Sequence, residues 1–236
     1  MVLKLEVCVD TAEGLAEAVA GGADRIELCA ALALGGLTPS AGPIAVAAAC
    51  GVPVVAMIRP RAGDFLWSDR EVAMMETEIA AVRTAGLAGV VLGASLPEGC
   101  LDLPVLRRLV AAAEGMELVL HRCIDLAPDM GAALEQAVAL GFRRILTSGG
   151  ELTAEAGAAR IGALVRQAAG RITIMPGSGV TPDNAALLKG LGITDIHASC
   201  SASTPATGRV VELGFAPPVR RQTSADRVRA LRQALE

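Results

Sequence analysis

Five short apolar runs carry chemically useful side chains two residues apart at their ends: Glu6 and Cys8, Glu27 and Cys29, Met57 and Arg59, His121 and Cys123, and His197 and Ser199. Residues two apart in a β-strand share a face, so each pair points the same way. Carboxylates and imidazoles are the side chains of general acid–base catalysis. A guanidinium grips an anion through its planar fork, and thiolates suit a soft metal. Both histidines of the chain belong to this set. Unpaired charge is costly in an apolar interior, so such a cluster requires mutual pairing or a ligand. The expected catalytic set is Glu27, His121, Glu6, Arg59 and His197, with Glu27 or His121 as acid or base and Arg59 holding an anionic group. The alternative is a scaffold network in which Glu6 and Glu27 pair with Arg25, Arg59 or Arg61.

Positioning these groups requires strands that end together. Apolar runs at 3–9, 25–28, 54–58, 89–93, 117–121, 144–147, 173–176 and 195–198 read as strands. Helical patterns lie between and after them, at 12–20, 42–49, 70–85, 102–113, 130–140, 155–168, 181–191 and 224–235. Continuous apolar strands fit a parallel sheet covered on both faces. Eight alternating units in 236 residues predict a (β/α)8 TIM barrel, a single α/β domain over 1–236. In that fold functional groups gather at the carboxyl ends of the strands, which is where every pair above falls. Asp10 to Glu13 and Ser68 to Glu71 read as capping boxes, and Pro182 as a first helical residue.

The βα loops add candidates. Gly177, Ser178 and Gly179 precede a helix start, where small residues and free amides favour an anion such as phosphate. Ser148 and Gly149 in RILTSGG support the same reading. The segment RPRAGDFLWSD holds Arg61, Asp64, Phe65 and Trp67 and suits a lid, an oligomer contact or a loop folded over the rim. Residues 199–223 form the longest irregular stretch, a long loop before the last helix, with a short hairpin expected in RVVELGF.

Composition narrows the function. A net charge of −4, one Trp, three Phe and no Tyr give neither a basic surface nor stacking platforms, so nucleic acid is not an expected partner. No apolar run approaches the roughly 18 residues of a membrane span, and the amino terminus lacks a long apolar leader segment. The six cysteines are scattered with no CxxC pair, as expected for reduced thiols in a cytoplasmic protein.

The segments EVCVD, RIELCAALALGGLTPS, MIRPRAGDF, HRCIDL, RILTSGG, IMPGSGV and IHAS occur in that order. Together they resemble the CutC family, historically labelled copper homeostasis proteins. The positions matching most closely are Glu6, Glu27, Arg59, Arg61, Asp64, His121, Arg122 and His197. The resemblance implies a TIM barrel, a cytoplasmic location, a homo-oligomer and copper, as Cu(I), for a partner. Cys8 and Cys29 would then be the metal ligands, and Arg61, Asp64 and Arg122 would join the ligand-binding set. Leu66 and Ala127 stand where relatives often carry cysteine. Two functions follow: copper handling, or an isomerase, lyase or epimerase acting on a small phosphorylated or sugar-like anionic metabolite. Beyond copper, the sequence carries no cofactor fingerprint.

Overall fold

The computed structural model describes residues 3–236; Met1 and Val2, the start of the expected 1–236 domain, lie outside them. The eight expected strands form one sheet: β1 (Lys4–Val9), β2 (Arg25–Leu28), β3 (Val54–Met57), β4 (Gly89–Leu92), β5 (Glu117–Leu120), β6 (Arg144–Thr147), β7 (Thr173–Pro176) and β8 (Asp195–Ala198). They are hydrogen-bonded in the order β7-β6-β5-β4-β3-β2-β1-β8. Every pairing in this sheet is parallel. The two ends of the order, β7 and β8, lie against each other and nearly close the barrel.

The helices follow their strands: α1 (Ala12–Ala20), α2 (Ala41–Ala47), α3 (Asp69–Thr84), α4 (Leu103–Ala112), α5 (Met130–Ala139), α6 (Ala158–Ala168) and α7 (Pro182–Lys189). Val72, Met75, Ile79 and Val82 of α3 recur at helical spacing and are fully buried. Ser68 and Glu71 close the expected capping box on α3. At α1 the cap is Thr11, whose hydroxyl accepts from the Gly14 amide at 2.9 Å. Asp10 instead accepts from the Leu32 amide at 2.9 Å and ties the β1 and β2 loops together. The expected cap had competed with a nonlocal donor and lost.

The register fixes what faces inward. Glu6 pairs with Arg25 and His197, and Cys8 pairs with Glu27. Val55, Val91, Val119, Leu146 and Met175 form a small apolar cluster with Cys29 and Met57, distinct from the larger core beneath the helices. The middle of the barrel lumen is therefore apolar on its β3–β7 side and charged around β1, β2 and β8, while the buried Arg144 at the start of β6 pairs with Glu117 at the start of β5.

The 199–223 stretch is not an irregular loop. It is an antiparallel hairpin of β9 (Ser201–Pro205) and β10 (Val219–Thr223), with the short helix α8 (Arg209–Glu212) between them. RVVELGF, expected as the hairpin, is the helix and the turn after it. The hairpin is built from the polar segments SASTP and VRRQT, which carry little β-propensity. It leads into α9 (Ala225–Leu235), which packs on α1 and α7.

Candidate functional site

A cavity of about 580 Å³ opens at the carboxyl ends of the strands. Its walls include Cys8, Glu27, Arg59, His121, Arg122, Ser178, Gly179 and His197, so eight expected site residues meet there. Glu6 lies one step deeper and is fully buried. Cys29 is 1% exposed, and its thiol donates to Glu27 at 3.5 Å.

The β1–β2–β8 wall is an ordered chain of charges. The Arg25 guanidinium pairs with Glu6, and its second nitrogen donates to Asp195 at 2.8 Å. The other Glu6 oxygen lies 2.8 Å from His197 Nδ1. His197 Nε2 is 3.7 Å from Glu27 Oε2. Burial alone would raise the Glu6 carboxyl, but the His197 hydrogen bond and the Arg25 charge hold it at about 2. Burial also disfavours the His197 cation, yet Cys8, Glu27 and Glu6 around it lift its pKa well above the ordinary value. Glu27 is shifted upward, mainly by burial and with help from the Glu6 charge, against the pull of His197. One scaffold alternative is thus realised for Glu6, through Arg25. Among the described residues Glu27 has no arginine partner, and its Oε1 meets no hydrogen-bond donor.

The opposite wall, from β3 to β5, is neutral at its centre. His121 follows β5 and is 3% exposed. Its Nδ1 accepts from the Cys123 amide at 3.1 Å, which leaves the ring proton of the neutral form on Nε2. That Nε2 is buried without a partner among the described residues. Phe65 lies against the ring with centroids 4.6 Å apart, and the Arg59 guanidinium lies over Phe65 at 5.1 Å. Burial, with the Arg59 charge nearby, lowers the His121 pKa to about 3. The fit needs Gly93 at the end of β4, because a Cβ there would meet Cys123 Sγ at 2.4 Å and the His121 ring at 2.5 Å.

Several expected ligand groups have other duties. Arg59 donates to the carbonyls of Leu34, Gly36 and Gly63 at 2.9–3.1 Å and so clamps two loops; its buried Nε is left unpaired. Arg61 and Asp64 pair with each other at 2.8 Å on the outer face of the β3 loop, away from the cavity. The Ser148 amide points to Asp125, and the Gly149 amide to Thr147 Oγ1. Gly177 shapes the floor, since a Cβ there would meet Leu146 at 2.5 Å. Ser178 and Gly179 do face the cavity, and among the described residues no acceptor meets the amides of Ser178, Gly179 or Val180.

Sequence reasoning missed Asp125, Arg221 and Arg227. Asp125 binds Arg122 Nε at 2.8 Å and the Ser148 amide at 3.1 Å, holding Arg122 against the cavity. The i,i+3 spacing of Arg122 and Asp125 was the available signal. Arg221 and Arg227 reach the rim from the hairpin and α9, and nothing local marks them. Among the described residues, three of the four non-glycine residues with left-handed backbone, Ala31, Ser178 and Cys200, lie in loops after β2, β7 and β8. Strain of this kind tends to collect at functional sites.

The fold and the site define a TIM barrel with titratable groups at its C-terminal mouth. The CutC family model matches residues 3–202, and the chain belongs to the CutC family. A CutC family protein of Rhizobium meliloti (strain 1021) is 56% identical, over 99% of this chain and 96% of its own. That of Caulobacter vibrioides (strain NA1000 / CB15N) is 52% identical over 97% and 96%. The crystal structure of a CutC from Streptococcus agalactiae, assigned there to copper homeostasis, superposes with a TM-score of 0.80. It is 35% identical and covers 84% of this chain and 99% of its own. No helix among the described residues is long and apolar enough to cross a membrane.

Proposed function

We propose that this CutC-family barrel is an enzyme that moves a proton on a small anionic, oxygen-rich metabolite, in an isomerase, lyase or epimerase step. One observation carries the reading. Three side chains in the walls of one cavity hold a buried atom with no hydrogen-bond partner among the described residues. Besides the cation Arg59 at Nε, they are the two acid–base candidates, Glu27 at Oε1 and His121 at Nε2. A buried polar group without a partner costs about 1–3 kcal/mol, and a ligand that engages both removes the penalty. Glu27, with its raised pKa, is the proton-transfer group. The Glu6–His197 pair orients and charges the wall beside it. Arg122, aimed by Asp125, and the free amides at Ser178–Val180 supply the anion-binding end. A cytoplasmic location and a homo-oligomeric state belong to this reading on the family resemblance.

The test is solvent exchange. The protein in deuterated water, incubated with a panel of small phosphorylated and sugar-like metabolites, should place deuterium at one carbon of at least one of them. Glu27→Gln should reduce that rate at least 100-fold. Equal exchange by wild type and variant would defeat the proposal.

A second reading, metal capture, rests on its own observation. One donor atom each from Cys8, Glu27 and His197 lies within 4.8 Å of the others. This group differs from the expected Cys8–Cys29 pair. Burial and the Glu27 charge hold the Cys29 thiol well above its usual pKa, so it stays protonated. A mixed thiolate, carboxylate and imidazole set suits a borderline ion such as Zn²⁺ better than Cu(I), which favours sulfur. The family name supports copper as cargo. Titration with Cu(I) against a chromogenic competitor decides: capture here predicts tight uptake that Cys8→Ser abolishes and Cys29→Ser leaves intact. Tight uptake that survives Cys8→Ser would reject this site.

A further inference from the structure

We infer that the substrate is a short α-hydroxycarbonyl compound whose carbonyl oxygen accepts a hydrogen bond from His121 Nε2–H while Glu27 carries a proton between its two adjacent carbons. The inference rests on the proton-transfer reading and narrows it to one substrate class and one division of labour.

Geometry assigns His121 its part. The Cys123 amide occupies Nδ1, so Nε2 can only donate in the neutral ring. The Cys123 amide hydrogen already aimed at Nδ1 disfavours a second proton there. Phe65 lies against the ring, and Gly93 packs so close to Cε1 and Nδ1 that a Cβ would not fit there. The nearby charge is the Arg59 cation, which disfavours an imidazolium. The Cys123 thiol is itself pushed well above its ordinary pKa by burial and the Asp125 charge and supplies no anion. Arg122, next in sequence, is neutralised by Asp125. Glu27 and His197 lie in the other wall, 3.7 Å from each other, and the other charges lining the cavity, Arg221 and Arg227, are cations that also disfavour an imidazolium. A neutral imidazole that donates from a dry wall polarises a carbonyl and stabilises the oxyanion that forms from it. It is a poor base.

Glu27 is the complement. Its Oε1 is free while Oε2 is engaged by His197 and Cys29. A ligand must therefore present an acceptor to one wall and a hydrogen to the other, and a carbonyl with a neighbouring C–H does both. The step balances without any co-reactant. Glu27 Oε1 takes the C–H proton, and the freed electron pair becomes a carbon–carbon double bond. The carbonyl π pair moves onto the oxygen held by His121. The hydroxyl proton on the neighbouring carbon passes to that oxygen, and Glu27 returns its proton to the former carbonyl carbon. The product is an isomer with the carbonyl moved by one position.

The test pairs a spectroscopic reading with exchange. In the ¹⁵N spectrum of the whole protein, His121 should show a neutral ring protonated on Nε2, unchanged from pH 5 to pH 8. A ring that titrates in that range, or that carries its proton on Nδ1, overturns the assignment. In deuterated water, glyceraldehyde, dihydroxyacetone and their phosphate esters are compared with lactate and glycerol 3-phosphate. Exchange is expected only in the carbonyl compounds. His121→Leu should lower it at least 100-fold, and His121→Gln, which keeps a donor, should restore part of the loss. Exchange confined to lactate overturns the substrate class but leaves the proton-transfer reading standing. Exchange in none of them overturns the inference, and the broader metabolite panel then decides the reading itself.

Discussion

His197 and His121 are each less than a tenth exposed and line the same cavity, yet their surroundings push them to opposite charge states. His197 sits in a wall of acidic partners, where, against the cost of burial, Cys8 and Glu27 and then Glu6, fixed by Arg25, favour the imidazolium. His121 sits between a phenyl ring, a glycine and an amide donor, with a guanidinium nearby, and stays neutral. The residue type is the same and the burial nearly the same. What differs is the sign of the nearest charge and which ring nitrogen the backbone has claimed. A barrel mouth with one cationic and one neutral imidazole can hold charge on one side and donate a neutral hydrogen bond on the other.

The largest break in that contrast comes from the charged wall. Arg25→Met leaves the buried Asp195 without its cation and Glu6 with His197 alone. Removing one partner of a buried ion pair costs about 3–5 kcal/mol, so denaturant unfolding should show a loss of that size. The His197 pKa should rise further, since the competing cation is gone. A loss below about 1 kcal/mol would mean the network is solvated and the wall is not what sets the His197 charge.

Next in size is Glu27→Gln. Exchange should fall at least 100-fold, about 2.7 kcal/mol of barrel-mouth chemistry, while the thermal midpoint holds or rises. The midpoint does not fall because the removed carboxyl was already disfavoured by burial and offered Oε1 no partner. A fall in activity matched by a fall in midpoint would instead make Glu27 part of the scaffold.

Much of this contrast could be read from the chain before any coordinates. Apolar runs broken by loops gave eight strands, because a sheet covered on both faces leaves little choice of residue. The two-residue spacing then put Glu27, His121 and His197 at one end. The depth of each group was not readable. Glu6 is two residues earlier than Cys8, about 6–7 Å further down the strand, and that distance turns an expected catalytic group into the anchor of His197. Nor could the sequence say that the Arg59 donors are consumed by carbonyls at 34, 36 and 63, or that Asp125 claims the Ser148 amide. Those bonds join segments far apart in the chain. The hairpin that carries Arg221 to the rim stayed hidden because its strands are polar and exposed.

The pH dependence of stability separates the walls more finely. His121 is depressed from 6.5 to about 3 by burial and Arg59. The unfolded chain binds this proton below about 6.5 and the folded one does not until about 3, so stability falls as acid is added across that window. The slope is at most about 1.4 kcal/mol per pH unit from this group. His197 is raised, so its contribution has the opposite sign: present below the unfolded pKa and lost as pH rises through the folded one. Denaturant melts of His121→Gln between pH 6.5 and 4 should show a shallower decline than wild type. An unchanged slope would mean that His121 is charged in the fold.

The smallest effect sharpens the neutral wall without dismantling it. Phe65→Leu keeps an apolar side chain against His121 but removes the ring that touches the imidazole and carries the Arg59 guanidinium. Losing one aromatic contact and one cation–π contact should cost about 1–2 kcal/mol. The direction of the accompanying shift is informative. With less cover the imidazole is better solvated, so its depressed pKa should move back toward 6.5 and the acid-side decline in stability should shorten. If stability drops by the expected amount while the His121 pKa stays put, then the guanidinium rather than the phenyl ring keeps this wall neutral. Arg59 would then be the residue that decides how the two histidines differ.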